Sequence, residues 1–106
     1  MTRTLVNVPK TARRGDVVEI RAMIAHPMET GYRNGPDGAA IPRRIIHRFT
    51  CTYGGEEVFA ADFHPAVGAN PYVAFSTVAI ESGTLTFTWI EDGGAVHAAT
   101  AEIAVD

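Results

Sequence analysis

Apolar and polar residues alternate along most of this chain, the period of a strand with one face buried. From Val17 to Ala25, Val18, Ile20, Ala22 and Ile24 face inward, and Glu19 and Arg21 face outward. Ile45–Tyr53 and Glu56–Phe63 flank Gly54-Gly55. A two-residue hairpin turn needs positive φ at both positions, and glycine takes it at little cost. Tyr72–Ile80 and Thr84–Trp89 are rich in β-branched and aromatic residues, with a turn at Glu81-Ser82-Gly83 between them. Leu85, Phe87 and Trp89 share one face of the second run, and Thr84, Thr86 and Thr88 share the other. Asp92-Gly93-Gly94 turns the chain into Val96–Val105, and Leu5–Val8 opens it. No long stretch keeps a helical period. The count and spacing predict an all-β fold, a single immunoglobulin-like β-sandwich of about seven antiparallel strands spanning residues 1–106. His26 to Arg44 reads as a long connection or irregular hairpin, its tip at Asn34-Gly35-Pro36-Asp37-Gly38.

If Gly54-Gly55 is the whole central loop, Tyr53 pairs with Glu56, Cys51 with Val58, Phe49 with Ala60 and His47 with Asp62. One face then carries Phe49, Cys51, Val58 and Ala60 as core. The other carries Phe59, Ala61 and Phe63 beside Ile46, Arg48, Thr50 and Thr52. A solvated outer face should be polar, and this one is partly apolar. Either a loop covers it or a second protein does.

Composition narrows the function classes. Hydrophobic residues make up 46% of the 106 and charged residues 20%, enough for one core. A net charge of −3 argues against nucleic acid or an anionic membrane as partner. No apolar run is long enough to span a bilayer. The opening MTRTLVNVPKTARRGD has no apolar signal-peptide core, so the protein is expected either to stay in the cytoplasm, to have lost its signal or to travel with a partner that carries one. The single cysteine, Cys51, rules out an internal disulfide and leaves an inter-chain disulfide open.

The densest chemistry lies in Ala25-His26-Pro27-Met28-Glu29-Thr30-Gly31-Tyr32-Arg33. His26, Met28 and Glu29 include metal-ligating types, but a zinc or iron site needs three or four ligands converging from several segments. His47, His64 and His97 are the other histidines, and none stands in a paired ligand motif. Superoxide reductases share a His-Pro dipeptide on an all-β domain, and a small metalloprotein of that type using His26 is the alternative reading. Those proteins also need a cysteine and a histidine near the C-terminus, where this chain has His97 and no cysteine. No metal, cofactor or catalytic residue is therefore assigned. Cys51 falls mid-strand among apolar neighbours, where a thiol is inert. Arg43, Arg44 and Arg48 form a basic cluster, either plain solvated surface or an attraction for small oxyanions or an acidic partner.

Taken together, VPKTARRGDVVEI at 8–20, AHPMETGYR at 25–33, IPRRIIHRFTCTYGGEEVFAADFHPAVGANPY at 41–72 and ESGTLTFTW at 81–89 resemble the SoxZ family almost end to end. HPMETG with the hairpin block and ANPY is the specific combination. The resemblance implies an immunoglobulin-like sandwich without catalytic residues. It implies the smaller subunit of a SoxYZ heterodimer in bacterial thiosulfate oxidation. The SoxY partner carries sulfur intermediates on the cysteine of a flexible Gly-Gly-Cys-Gly-Gly arm, which other sulfur-oxidising enzymes visit. This chain ends in Ala104-Val105-Asp106 without such an arm. The resemblance also implies a periplasmic location reached with the partner's signal peptide. A carrier accessory of another oxidation pathway is a further alternative. The expected partner contacts are the hairpin residues Ile46, Arg48, Thr50, Phe59 and Phe63 and the loop His26, Pro27, Met28, Glu29, Thr30 and Gly31.

Overall fold

The computed structural model describes residues 3–106. Eight strands follow in order: β1 (Thr4–Asn7), β2 (Thr11–Ala12), β3 (Val17–Ile24), β4 (Ile46–Tyr53), β5 (Glu56–Asp62), β6 (Tyr72–Val78), β7 (Gly83–Glu91) and β8 (Val96–Val105). They form two sheets, β1-β3-β6 and β2-β8-β7-β4-β5, packed as an immunoglobulin-like sandwich. The seven expected strands are all present. The eighth, β2, is two residues long and runs parallel to the end of β8, pairing Thr11 with Ala104 and Ala12 with Val105. It carries the chain from one sheet to the other just after Pro9, and two residues are too few to show a period.

The Gly54-Gly55 turn forms as expected, with φ of 60° and 88°. The hairpin register holds at Tyr53↔Glu56 and departs from the expected one beyond Thr52↔Glu57. Cys51 pairs with Phe59, Thr50 with Ala60, Phe49 with Ala61 and Arg48 with Asp62, leaving Val58 as a bulge. A second irregularity on β4 leaves His47 unpaired between Ile46↔Glu91 and Arg48↔Ile90. Each bulge shifts the alternation by one residue, which exchanges the two faces beyond it. The result puts Phe59, Ala61, Phe63 and Ile46 on the core side, contrary to the simple register. The gain is aromatic packing: the Phe59 ring stacks on Phe75 of the other sheet at 4.4 Å and meets Phe49 at 6.1 Å.

Trp89, Phe49 and Phe87 fill the middle of the core with no exposed surface. Phe49 lies 5.2 Å from Trp89 and 6.3 Å from Phe87, ring centre to ring centre. Burying each such ring is worth about 1.5–3 kcal/mol. Tyr53 closes one end of the sandwich: its hydroxyl donates to the Glu81 carbonyl and accepts from the amides of Ile80 and Glu81, both at 3.3 Å. No helix is long and apolar enough to cross a membrane among the described residues.

Candidate functional site

The opposite end of the sandwich holds the His26 segment. β3 stops at Ile24, and Pro27 fixes the direction in which the chain leaves. His26 donates its amide to Asn70 Oδ1 at 3.0 Å, and Asn70 donates its amide back to the His26 carbonyl at 2.8 Å. The HPMETG and ANPY segments are thus clamped together. Asn70 holds a φ of 53° ahead of Pro71, a left-handed conformation that asparagine tolerates better than most residues. Met28 also has positive φ, 54°, which a larger side chain adopts only when its surroundings hold it. Its amide donates to His26 Nδ1 at 2.9 Å, and its sulfur accepts the Ile46 amide at 3.3 Å. Glu29 and Arg44 exchange backbone hydrogen bonds of 3.0 and 2.7 Å and start the irregular hairpin that carries Asn34–Gly38 at its tip. A Cβ on Gly31, whose φ is 87°, would stand 3.1 Å from Arg43 Cβ, so this turn accepts glycine alone without strain.

Below the loop lies a buried carboxylate, Glu91, 7% exposed. His26 Nδ1 accepts the Met28 amide, so the ring's proton sits on Nε2 and is donated to Glu91 Oε1 at 2.9 Å. His97 Nε2 meets the same oxygen at 3.0 Å, and Arg44 Nε lies 3.5 Å from Oε2. Burial alone would push the Glu91 carboxyl up. The hydrogen bonds from His97 and His26 and the charge of Arg44 outweigh it and hold the group below its ordinary range. The next residue, Asp92, faces the other way. Arg43 donates to it through Nε and Nη2 at 2.8 and 3.1 Å, and the Ile45 amide adds a third bond at 3.1 Å. The Arg43 bond, against burial and with the Ile45 amide, brings the Asp92 carboxyl down to about 2.

This arrangement organises structure. A metal-bound histidine needs one ring nitrogen bare for the ion while the other keeps its proton. His26 has its proton on Nε2 and its lone pair on the Met28 amide, so neither nitrogen is free. Among the described residues no set of three or more histidine, cysteine and carboxylate side chains is arranged to hold a metal ion. His64 is exposed, and His47 sits beside Asp92, so the four histidines do not converge.

The expected site residues fall as follows. Cys51 has no exposed surface in this chain, and burial pushes its thiol up to about 11. The basic cluster is spent on carboxylates: Arg43 on Asp92, Arg44 on Glu91, and Arg48 on Asp62 at 2.7 Å. Of the expected contact residues, Ile46, Phe63, His26 and Met28 are buried in this chain's own core. Phe59 is half-buried against Phe75. Pro27 is exposed, and Glu29, Thr30, Gly31, Arg48 and Thr50 keep partial exposure.

Glu91, His97 and Asn70 are the site residues that pattern reading missed. The signal for the first two was present: Glu91 continues the inward series Leu85, Phe87, Trp89, and His97 continues Ala99, Ala101, Ile103 backwards. Two polar residues on buried positions of paired strands call for each other as partners. Asn70 gave no such signal, because its role depends on a fold-dependent clamp 44 residues from His26.

Comparison with known proteins bears on family and fold. The family model described as "Sulphur oxidation protein SoxZ" matches residues 6–102. No curated protein matches the chain. Among solved structures, the superoxide reductase (neelaredoxin) from Ignicoccus hospitalis is 18% identical, with a TM-score of 0.74 over 99% of this chain and 82% of that one. The sulfur carrier protein SoxY from Chlorobium limicola f thiosulfatophilum is 16% identical, with a TM-score of 0.68 over 97% and 78%. A putative superoxide reductase from Thermotoga maritima is 16% identical, with a TM-score of 0.74 over 97% and 85%. At such identities these likenesses concern the fold alone.

Proposed function

The chain belongs to the SoxZ family, and on that premise we propose that it is the non-catalytic subunit of a heterodimeric SoxYZ-like sulfur carrier. Its partner is a SoxY-like subunit whose C-terminal cysteine arm bears the sulfur intermediates of thiosulfate oxidation. The observation that carries this reading is the family match over residues 6–102. The His26 segment supports it. The most distinctive stretch of the sequence is spent on internal hydrogen bonds, and its one deeply buried histidine keeps both ring nitrogens engaged. A rigid body from which a flexible arm reaches several enzymes needs that kind of fixed end.

The proposal places the protein in the periplasm, exported with its partner, a location that rests on the family resemblance. Pro27, Glu29, Thr30, Gly31, Arg48, Thr50 and the exposed rim of Phe59 are carried into it as surface that faces the partner or the enzymes the arm visits. Co-expression of the full chain with a SoxY-like subunit, followed by pull-down and mass measurement, tests the reading. A stable one-to-one complex is expected. A monomer with no affinity for that subunit refutes it.

A further inference from the structure

Both sheets end in free strand borders, and a free border offers unpaired N–H and C=O groups to any extended chain. Three of the four are guarded. β1 is only four residues long. β5 carries Glu56, Glu57 and Asp62 within seven residues and the bulge at Val58. β8 runs beside β1, carries His97 and Glu102, and ends under β2.

β6 has none of these protections. Tyr72-Val73-Ala74-Phe75-Ser76-Thr77-Val78 contains no charge and no proline, and it pairs with β3 residue for residue without a bulge. The parity of the ladder shows which groups are free. Ile24 donates to the Pro71 carbonyl and Ala79 donates to the Asp16 carbonyl, so Val73, Phe75 and Thr77 are the residues that bond to β3. The N–H and C=O groups of Tyr72, Ala74, Ser76 and Val78 point away from the sheet. Among the described residues no other backbone hydrogen bond reaches them. The side chains of these same four residues are exposed on the outer face. There Leu5, Met23 and Tyr72 form one apolar row across all three strands, and Val17 and Val78 form another. Leu5, Tyr72, Val17 and Val78 are four of the seven exposed large hydrophobics among the described residues. A hollow of about 240 Å³ opens between Leu5, Asn7, Arg21, Met23 and Tyr72.

We propose that the free edge of β6 takes an extended strand of the SoxY-like partner, continuing the three-stranded sheet from one sandwich into the other. The inference rests on the carrier reading above and assigns that reading its contact. A SoxY structure shares this fold over 97% of the chain, so a partner of that kind has edge strands of its own to offer. Pairing along seven residues covers a strip roughly 23 Å long and about 5 Å wide, an area well short of the ~800 Å² per partner that a stable interface buries. The Leu5–Met23–Tyr72 row, continuous with the edge, supplies further apolar area, and the hollow receives a side chain. A second copy of this chain is the poorer occupant because it brings the same net charge of −3.

The test measures heterodimer affinity with the co-expressed partner for the unaltered chain and for Ser76→Pro, Tyr72→Lys and, on the exposed face of β8, Thr100→Lys. Ser76→Pro removes one outward donor and leaves the β3 ladder intact, a position where edge strands accept proline. Ser76→Pro and Tyr72→Lys are each expected to weaken the complex at least tenfold, with Thr100→Lys changing it less than threefold. Should Ser76→Pro lower the stability of the free chain, Tyr72→Lys decides, since its side chain lies on the surface. Unchanged affinity in both β6 variants overturns the inference and leaves the carrier reading standing, whether or not Thr100→Lys weakens the complex. A self-dimer lost in Ser76→Pro while the heterodimer is unaffected also overturns it. No complex with the unaltered chain defeats the carrier reading itself.

Discussion

The aromatic middle of the sandwich and the carboxylate at its polar end are both buried and are held in opposite ways. In the middle, Trp89, Phe49 and Phe87 sit ring against ring. Their stability comes from apolar area and close packing, which are additive and weakly directional. At the end, one carboxylate receives two histidines and an arginine, and the His26 and Met28 amides of the loop above it each have a named side-chain acceptor. Such a network gains little net energy over water, but it is expensive to leave half made. The middle therefore decides that the chain folds. The end decides how residues 26–44 leave the sandwich.

Truncation separates the two, beginning with the largest loss. Trp89→Ala removes the central ring and is expected to cost about 3–5 kcal/mol. It should appear as a lower denaturant midpoint at unchanged slope, with amides throughout both sheets exchanging faster. A cost near ~1 kcal/mol would mean that the middle is not the main store of stability. Glu91→Ala comes next, at about 3 kcal/mol, because it strands His26, His97 and Arg44 without their acceptor. Its signature is local: the amides of Met28 and Asn70 lose protection while that of Phe87 keeps most of its own. Glu91→Gln retains an acceptor oxygen and should lose about half as much. Uniform loss of protection in Glu91→Ala would erase the distinction between the two regions.

The same distinction explains what could be read from the sequence. Period-two alternation and glycine turns are local, and they located seven strands with ends off by no more than two residues. The inward positions of β3 and β7 followed from the same signal. The two bulges on the β4 ladders were not readable, because a bulge is chosen by what it buries across the sandwich. Phe59 turns inward because Phe75 waits on the other sheet. The His26 segment stood out by its residue types, but its meaning depended on Asn70 and Glu91, 44 and 65 positions away. Resemblance supplied the family that periodicity could not.

The smallest expected effect is a pH dependence confined to the polar end. Asp92 is held near 2 against an ordinary 3.8, and Glu91 also sits below its ordinary 4.5. A carboxylate whose folded pKa is depressed stabilises the fold fully above its unfolded value, and that contribution is lost as pH falls toward the folded one. The contribution of these two carboxylates should therefore be flat above about pH 5. It should fall as pH drops below 4.5 for Glu91, and from 3.8 toward about 2 for Asp92. The urea midpoint followed across that range measures the slope. Asp92→Asn should flatten its lower part, since an amide cannot titrate, while lowering the plateau through the weakened Arg43 contact. Conservative change in the aromatic middle, such as Phe87→Leu, should lower the whole curve and leave its shape intact. If Phe87→Leu also changed the slope, the two regions would be coupled through the Trp89–Glu91 stretch of β7. The polar end would then report on the core rather than stand apart from it.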